Sequence, residues 1–167
     1  MNLSEGKKQF INSWGSFGTQ WGISRAMGQV FALLLVSPDP ITQDKIMEEL
    51  SISRGSVNTT IRELIDWGLV ERVIISGERK EYFLSEKDIW KASAQILNER
   101  KKRELDPLLK TLAILEKVEG DKKDRDFKHF TKTVKDIKKM SLSSDKIIKL
   151  ITGTRGSYIV EKIMKIM

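Results

Sequence analysis

Apolar residues recur at helical spacing along most of this chain. One stretch, Ile41 to Phe83, breaks that rhythm in an ordered way: ITQDKIMEEL, then SISRGSVNTTIRELIDWG, then LVERVIISGERKEYF. In its middle, Val57, Ile61, Leu64 and Ile65 stand at i, i+4, i+7 and i+8, one face of a helix. At about 100° per residue, Gly55, Ser56, Thr59, Arg62, Glu63 and Asp66 fall on the opposite face, flanked by Asn58. Ser53 is a good N-cap, and Gly68 stands where a glycine commonly ends a helix. The run before it predicts a shorter helix. Thr42 caps that helix, Asp44 complements its dipole, Ile46, Met47 and Leu50 bury it, and Ser51-Ile52 is the tight turn. After Gly68 the period changes to alternation. Leu69 to Ile75 and Arg79 to Leu84 predict two strands joined at Ser76-Gly77-Glu78, with Arg79 and Lys80 at the tip. Helix, tight turn, helix and basic-tipped hairpin make a winged helix-turn-helix.

Helices are predicted on both sides of this unit. Residues 3–18 are helical, with Ser4 as the N-cap. Phe10, Trp14, Phe17 and Trp21 share a helical spacing that suits packing; with Trp90 they are also the candidates for an aromatic cage around a cationic ligand. Residues 24–36 form a core helix capped by Ser24, with Met27, Val30, Phe31, Leu34 and Leu35 in one stripe. Pro38 and Pro40 end it. Ser85 to Glu119 is a long helical region capped by Ser85, with Asp88 three residues on. Asp106-Pro107 breaks or kinks it, with Pro107 suited to the first turn of a new helix, and the basic run Arg100 to Arg103 reads as a solvated helix face. Gly120 to Asp126 is a charged loop. Phe127, Phe130, Val134 and Ile137 form a short heptad-like seam, while Ile147, Ile148 and Ile151 mark another helix. Gly153 to Gly156 interrupts that helix, and Tyr158 to Met167 is a final amphipathic one. The fold expected is mainly α with a small β-hairpin wing, plus a helical dimerisation region. Its parts are residues 1–23 as an N-terminal packing helix, 24–85 as the winged helix-turn-helix, and 86–167 as a dimerisation and possible effector region.

Composition narrows the chemistry. The 167 residues include no cysteine and a single histidine, His129. Disulfides, thiolate metal sites and His-rich metal sites are therefore excluded. No nucleophile–base pair, acidic metal cluster or phosphate loop stands out, so neither an enzyme nor a cofactor is expected. No apolar run approaches the ~20 residues of a membrane span. The N-terminus MNLSEGKKQF lacks the apolar core of a secretory signal, so the expected location is the cytoplasm, with no membrane partner. More than half of the apolar stripes lie outside the small winged-helix core. That surplus implies an interface, most simply a two-fold homodimer. The net charge of +7 is uneven: residues 1–85 hold 9 Lys+Arg against 10 Asp+Glu, and residues 86–167 hold 21 against 13. The proposed reading head is thus not basic overall. Either its few cations are well placed, or the basic second half also lies near phosphates.

Small polar residues on the first turns of the second helix suit the major groove, where a recognition helix touches bases mainly with its N-terminal residues. Gly55 is a poor helix former whose presence there is explained by close backbone approach to a phosphate. The candidate DNA-binding residues are Gln43, Ser53, Arg54, Gly55, Ser56, Asn58, Thr59, Arg62, Arg79 and Lys80. Gln43 would touch the DNA backbone, and Arg79 and Lys80 would hold the wing on phosphate or in the minor groove.

The segments WGISRAMGQVFALLLVSPDPIT (21–42), ISRGSVNTTIRELIDWGLVERV (52–73), GERKEYF (77–83), EKDIW (86–90) and ERKKRELDPLL (99–109) also carry a family resemblance. Over roughly residues 10–118 the chain resembles the glycine-betaine-synthesis repressor (GbsR) branch of the MarR-type winged-helix regulators. The resemblance implies a homodimeric DNA-binding transcriptional regulator, a repressor, in which positions 53–62 read the operator and Arg79 and Lys80 lie on the wing. It also implies a possible small-molecule effector. Where the family pattern often has Asn after the Arg-Gly pair, this chain has Ser56, which bears on the operator sequence and not on the fold. The competing function class is a winged-helix protein–protein module, with Glu63, Asp66 and Glu71 facing a basic partner.

Overall fold

The computed structural model describes residues 1–20, 22–153 and 158. The chain divides into two compact units, residues 1–92 and 93–167.

The first unit opens with α1 (Leu3–Gln20). Its start is a reciprocal cap. Asn2 Oδ1 accepts from the Glu5 N–H at 2.9 Å, and Glu5 Oε2 accepts from the Asn2 N–H at 2.9 Å. The cap is therefore Asn2 rather than the expected Ser4, because Glu5 stands at the capping-box distance from Asn2. α1 packs on α2 (Arg25–Val36), whose N-cap is Ser24 as expected, its hydroxyl accepting from the Met27 N–H at 3.1 Å. Gly15 and Gly28 let the two backbones meet: a Cβ on Gly28 would stand 3.0 Å from both the Trp14 carbonyl oxygen and the Gly15 Cα. Met27, Val30, Phe31, Ala32, Leu33 and Leu34 are all buried. A helix apolar nearly all round belongs in the middle of a fold, and α1 covers a face that the single predicted stripe left open. α2 stops at Val36, ahead of the two prolines. Lys87 Nζ donates to the carbonyls of Leu34 (2.7 Å), Leu35 (3.2 Å) and Ser37 (2.5 Å), a cation on the negative end of the helix. Partial burial lowers the Lys87 pKa from the ordinary lysine value.

Strand β1 (Ile41–Thr42), α3 (Gln43–Leu50), α4 (Arg54–Asp66), β2 (Val70–Val73) and β3 (Tyr82–Ser85) follow. The sheet is antiparallel in the order β1-β3-β2, with Phe83 opposite both Ile41 and Arg72. This is a winged helix-turn-helix. β1 was not expected, since two residues are too few to show an alternation. The hairpin strands are shorter than the sequence predicts. β2 ends at Val73, leaving Ile74 88% exposed, and β3 begins only at Tyr82, so Arg79 and Lys80 stand in the loop. Ser85 does not cap the next helix; it ends β3, paired with Val70. Asp88 caps α5 (Ile89–Arg100) instead, its Oδ1 accepting from Trp90 N–H (2.9 Å) and Lys91 N–H (3.1 Å).

In the second unit, α5 runs through a π-helical turn (Lys101–Leu105) into α6 (Asp106–Leu115). Pro107 stands in the first turn of a new helix, as expected, where a missing N–H costs least, while the π-helical turn ahead of it was not expected. The basic run is paired close at hand: Arg100 with Glu104 (3.0 Å), Lys102 with Glu99, and Lys101 with both Asp106 (2.6 Å) and Asp145 (3.0 Å). The two helices expected after residue 126 are one, α7 (Arg125–Thr152), 28 residues long and capped by Asp124. Its seam also divides. Val134, Ser141 and Asp145 are buried, and α7 packs on α6 and the π turn. Phe130, Ile137, Met140 and Ile147, at steps of seven, three and seven, remain 40%, 38%, 65% and 57% exposed within the chain. Trp21, the interruption after Gly153 and the predicted final helix lie outside the described residues, apart from Tyr158. No helix among the described residues is long and apolar enough to cross a membrane.

Two outcomes are expected from this packing. Gly28→Ala should destabilise the protein by ~1–3 kcal/mol, because the obstacle is backbone. Gly6→Ala, where a Cβ meets nothing within 4 Å, should be neutral or stabilise by up to ~1 kcal/mol. Denaturant midpoints of the two variants check both. Acid is the second lever. The ammonium groups of Lys149 and Lys101 hold the Asp145 carboxyl below its ordinary pKa. Such a group stabilises the folded state above the unfolded-state value and loses that contribution as pH falls through the folded one. Thermal melts from about pH 5 to about pH 2 should therefore show a steeper loss in the wild type than in Asp145→Asn.

Candidate nucleic-acid interface

The interface is built on a turn and two helix starts. α3 ends at Ser51, which adopts the left-handed conformation (φ 52°, ψ 43°) and so reverses the chain within two residues. Ser53 then caps α4, its hydroxyl accepting from the Ser56 N–H at 3.2 Å. Val57, Thr60, Ile61 and Leu64 are buried, and α4 packs on α2 and α3. At the far end Gly68 (φ 69°) closes the helix. Its N–H donates to Ile65 O at 2.8 Å, and the Leu69 N–H donates to Leu64 O at 2.9 Å. With one face locked inward and both ends capped, the rotation of α4 about its axis is settled. Gly55, Asn58, Thr59, Arg62, Glu63 and Asp66 are exposed on the other side, and Ser56 is half-buried.

Side chains tie this face to the elements beside it. Gln43, at the start of α3, donates from Nε2 to Asn58 Oδ1 at 2.8 Å and to Arg54 O at 3.3 Å. Arg54 reaches back across the turn to Asp44, 2.8 Å from guanidinium to Oδ1. Lys80 approaches the same carboxylate from the wing loop, 3.8 Å from Oδ2. Gln43, Arg54 and Lys80 line an open cleft of about 210 Å³, with Thr42, Asp44 and Glu81. At the base of the wing Arg72 pairs with Glu81 at 3.0 Å. Gly77 (φ 85°) makes the turn at its tip, where the Glu78 N–H donates to Ile75 O at 3.1 Å. Arg62 and Arg79 are exposed and form no ion pair among the described residues. The structure thus brings Gln43, Arg54, Asn58 and Lys80 into one connected cluster. Ser53, Gly55, Ser56, Thr59 and Arg62 line up along α4 beside it, and Arg79 stands apart on the wing. Asp44 and Thr42 were read only as a dipole partner and a cap. Their place in the cleft follows from β1 pairing beside β3, a contact that no local pattern encodes.

Among the described aromatic candidates, one pair meets. Phe10 and Trp14 stack on one another along α1, centroids 5.2 Å apart at 30°. Phe17 and Trp90 are 52% and 45% exposed, and Trp21 lies outside the described residues.

Residues 21–80, which contain this entire face, match a family model described as the MarR family. Among curated proteins, the chain is 31% identical over 89 residues to the HTH-type transcriptional repressor GbsR of Bacillus subtilis (strain 168), covering 53% of this chain and 49% of that protein. It is 29% identical over 76 residues to the HTH-type transcriptional regulator MmpR5 of Mycobacterium tuberculosis, covering 45% and 46%. The HTH-type transcriptional repressor OpcR of Bacillus subtilis is 26% identical over 70 residues, 42% of this chain and 38% of its own. The chain thus spans about half or less of the length of the curated relatives it matches. A crystal structure described as a transcriptional regulator superposes over 91% of this chain and 99% of its own with a TM-score of 0.68 at 18% identity, a likeness of fold.

Gly55 offers a sharp check on this face. A Cβ there would meet only Ser53 Oγ, at 4.0 Å, so nothing in the protein itself requires glycine. Gly55→Ala should stabilise the fold by ~0.5–1 kcal/mol, as glycine is replaced inside a helix. If the position is kept bare for a phosphate, the same variant should bind duplex DNA more weakly. A higher melting temperature with unchanged duplex affinity would remove Gly55 from the interface.

Proposed function

We propose that this chain is a MarR-type winged-helix transcriptional regulator that binds duplex DNA through the exposed face of α4 and the wing. The observation that carries the proposal is the pairing of a buried, capped inner face of α4 with an outer face of short polar side chains ending in the unpaired Arg62. α4 enters the major groove. Ser56, Asn58, Thr59 and Arg62 read base edges there, while Ser53, Arg54, Gly55 and Gln43 lie against the sugar–phosphate backbone. Arg79 and Lys80 bring the wing to phosphate or to the adjacent minor groove.

The protein works as a homodimer on a near-palindromic operator, and as a repressor of the GbsR type. The support for a second copy is the row of exposed apolar residues on α7, whose steps of seven and three are those of a coiled-coil seam. Two copies present their α4 helices about one DNA turn apart, roughly 34 Å. A small-molecule effector acts by changing that separation, shifting the population between geometries that match and mismatch the operator.

One observation favours a second reading. Residues 1–85 carry no net positive charge, and Glu63, Asp66 and Glu71 are exposed beside the reading face. That surface suits a basic protein partner. Generic duplex at low salt separates the two readings: a folded protein with no affinity for it is a protein-binding module.

Two variants test the DNA reading in detail. Arg62→Ala should cost ~1–3 kcal/mol on the preferred site and relax sequence preference there. Arg79→Ala should weaken all sequences alike and reduce the slope of log K against log salt by about 0.9, one phosphate contact. Gel shifts across a salt series measure both, and no change in either variant would remove these residues from the interface.

A further inference from the structure

We propose that Asp44 is a specificity-determining residue, an internal competitor that holds Arg54 and Lys80 away from phosphate until a preferred site is engaged. The inference rests on the DNA-binding reading above and concerns the same face.

An acidic residue in the first turn of a helix has an ordinary explanation, the dipole. Asp44 does more than that explanation needs. Its two oxygens face two cations from two other elements, Oδ1 at 2.8 Å from Arg54 on α4 and Oδ2 at 3.8 Å from Lys80 on the wing loop. The carboxylate thereby bridges α3, α4 and the wing in the open cleft beside the reading helix. All three side chains are more than half exposed, at 54%, 63% and 63%. Ion pairs so exposed add little to stability. Their consequence is electrostatic. Arg54 and Lys80 each spend charge on a group of the protein, in the place where an incoming phosphate would sit between them. A phosphate that takes them must first displace the carboxylate and then lie beside it, like charge against like.

Generic DNA offers little to offset this, because it is bound almost wholly through phosphates. A preferred site also engages Asn58, Thr59 and Arg62, and those contacts hold the face in place while the two cations exchange partners. Asp44 therefore costs generic binding more than specific binding. It widens the ratio between the two, which decides function where non-specific sites are in vast excess. The low charge of residues 1–85 has the same sense. Gln43 keeps the neighbouring geometry during the exchange, since its bonds to Asn58 Oδ1 and Arg54 O involve neither Asp44 nor Lys80.

The test uses the full-length chain, a random-sequence duplex, and a preferred duplex selected from a random pool, each over a salt series. Asp44→Asn should bind the random duplex about three- to ten-fold tighter at low salt, with a slope steeper by about 0.9 per cation released. Its affinity for the selected duplex should rise less, so the ratio falls. Asp44→Glu should restore wild-type behaviour. Lys80→Gln in the wild-type background keeps the question decidable if Asp44→Asn does not fold: a masked Lys80 leaves the random-duplex slope nearly unchanged. Random-duplex binding by Asp44→Asn equal to or weaker than that of the wild type, or a slope flattened by about 0.9 in Lys80→Gln, overturns the competitor role while leaving DNA binding intact. Failure of the wild type to bind any duplex at low salt overturns the DNA reading and this inference together.

Discussion

Val57, Ile61 and Leu64 are almost wholly removed from water, at 0%, 4% and 1% exposure, and α2 and α3 receive them. Burial of each such side chain is worth ~1.5–3 kcal/mol, so turning α4 by even one residue would forfeit more than its surface interactions could return. A helix advances about 100° per residue, so that burial also dictates which residues point away. Arg62 and Asn58 are outside because Ile61 and Val57 are inside. The caps at Ser53 and Gly68 fix where the helix begins and ends, which puts the small residues on its free N-terminal turns. The exposed face is a consequence of the buried one.

Charge adds a second layer, set by pairing more than by number. The basic run on the π turn is absorbed by Glu99, Glu104, Asp106 and Asp145, and Arg54 and Lys80 share Asp44. Unpaired cations around α4 and the wing are therefore fewer than a count of lysines and arginines implies. Arg62 and Arg79 stand unpaired at the helix and at the wing, while Arg54, Arg72 and Lys80 are paired.

The relation of α1 to α2 shows how close packing supports this arrangement from behind. Gly15 and Gly28 allow near backbone contact, so α2 is covered on a further side and becomes the central helix of its unit. Lys87 closes the C-terminal end of α2 with three carbonyl bonds. α4 rests on this braced helix and not on a solvent-exposed one.

The elements legible in the sequence were those whose signal lies between near neighbours. The inner face of α4 is an i, i+4, i+7 pattern, Ser24, Thr42 and Ser53 cap the residues that follow them, and the two prolines stop α2 locally. The misses have the same cause seen from the other side. Asn2 and Asp88 outcompeted Ser4 and Ser85 as caps because helix starts shifted by two or three residues, and Ser85 was drawn into a strand by Val70. β1 exists only because Phe83 lies beside Ile41, and the π turn ahead of Pro107 has no local pattern that announces it. The pattern along the chain was enough for the helix-turn-helix and hairpin, for the buried face of α4 and hence for which residues of α4 face outward. Only tertiary structure decided which cations remain free, through the meeting of Asp44, Arg54 and Lys80. That choice depends on distances between elements remote in the chain, which neither periodicity nor composition encodes.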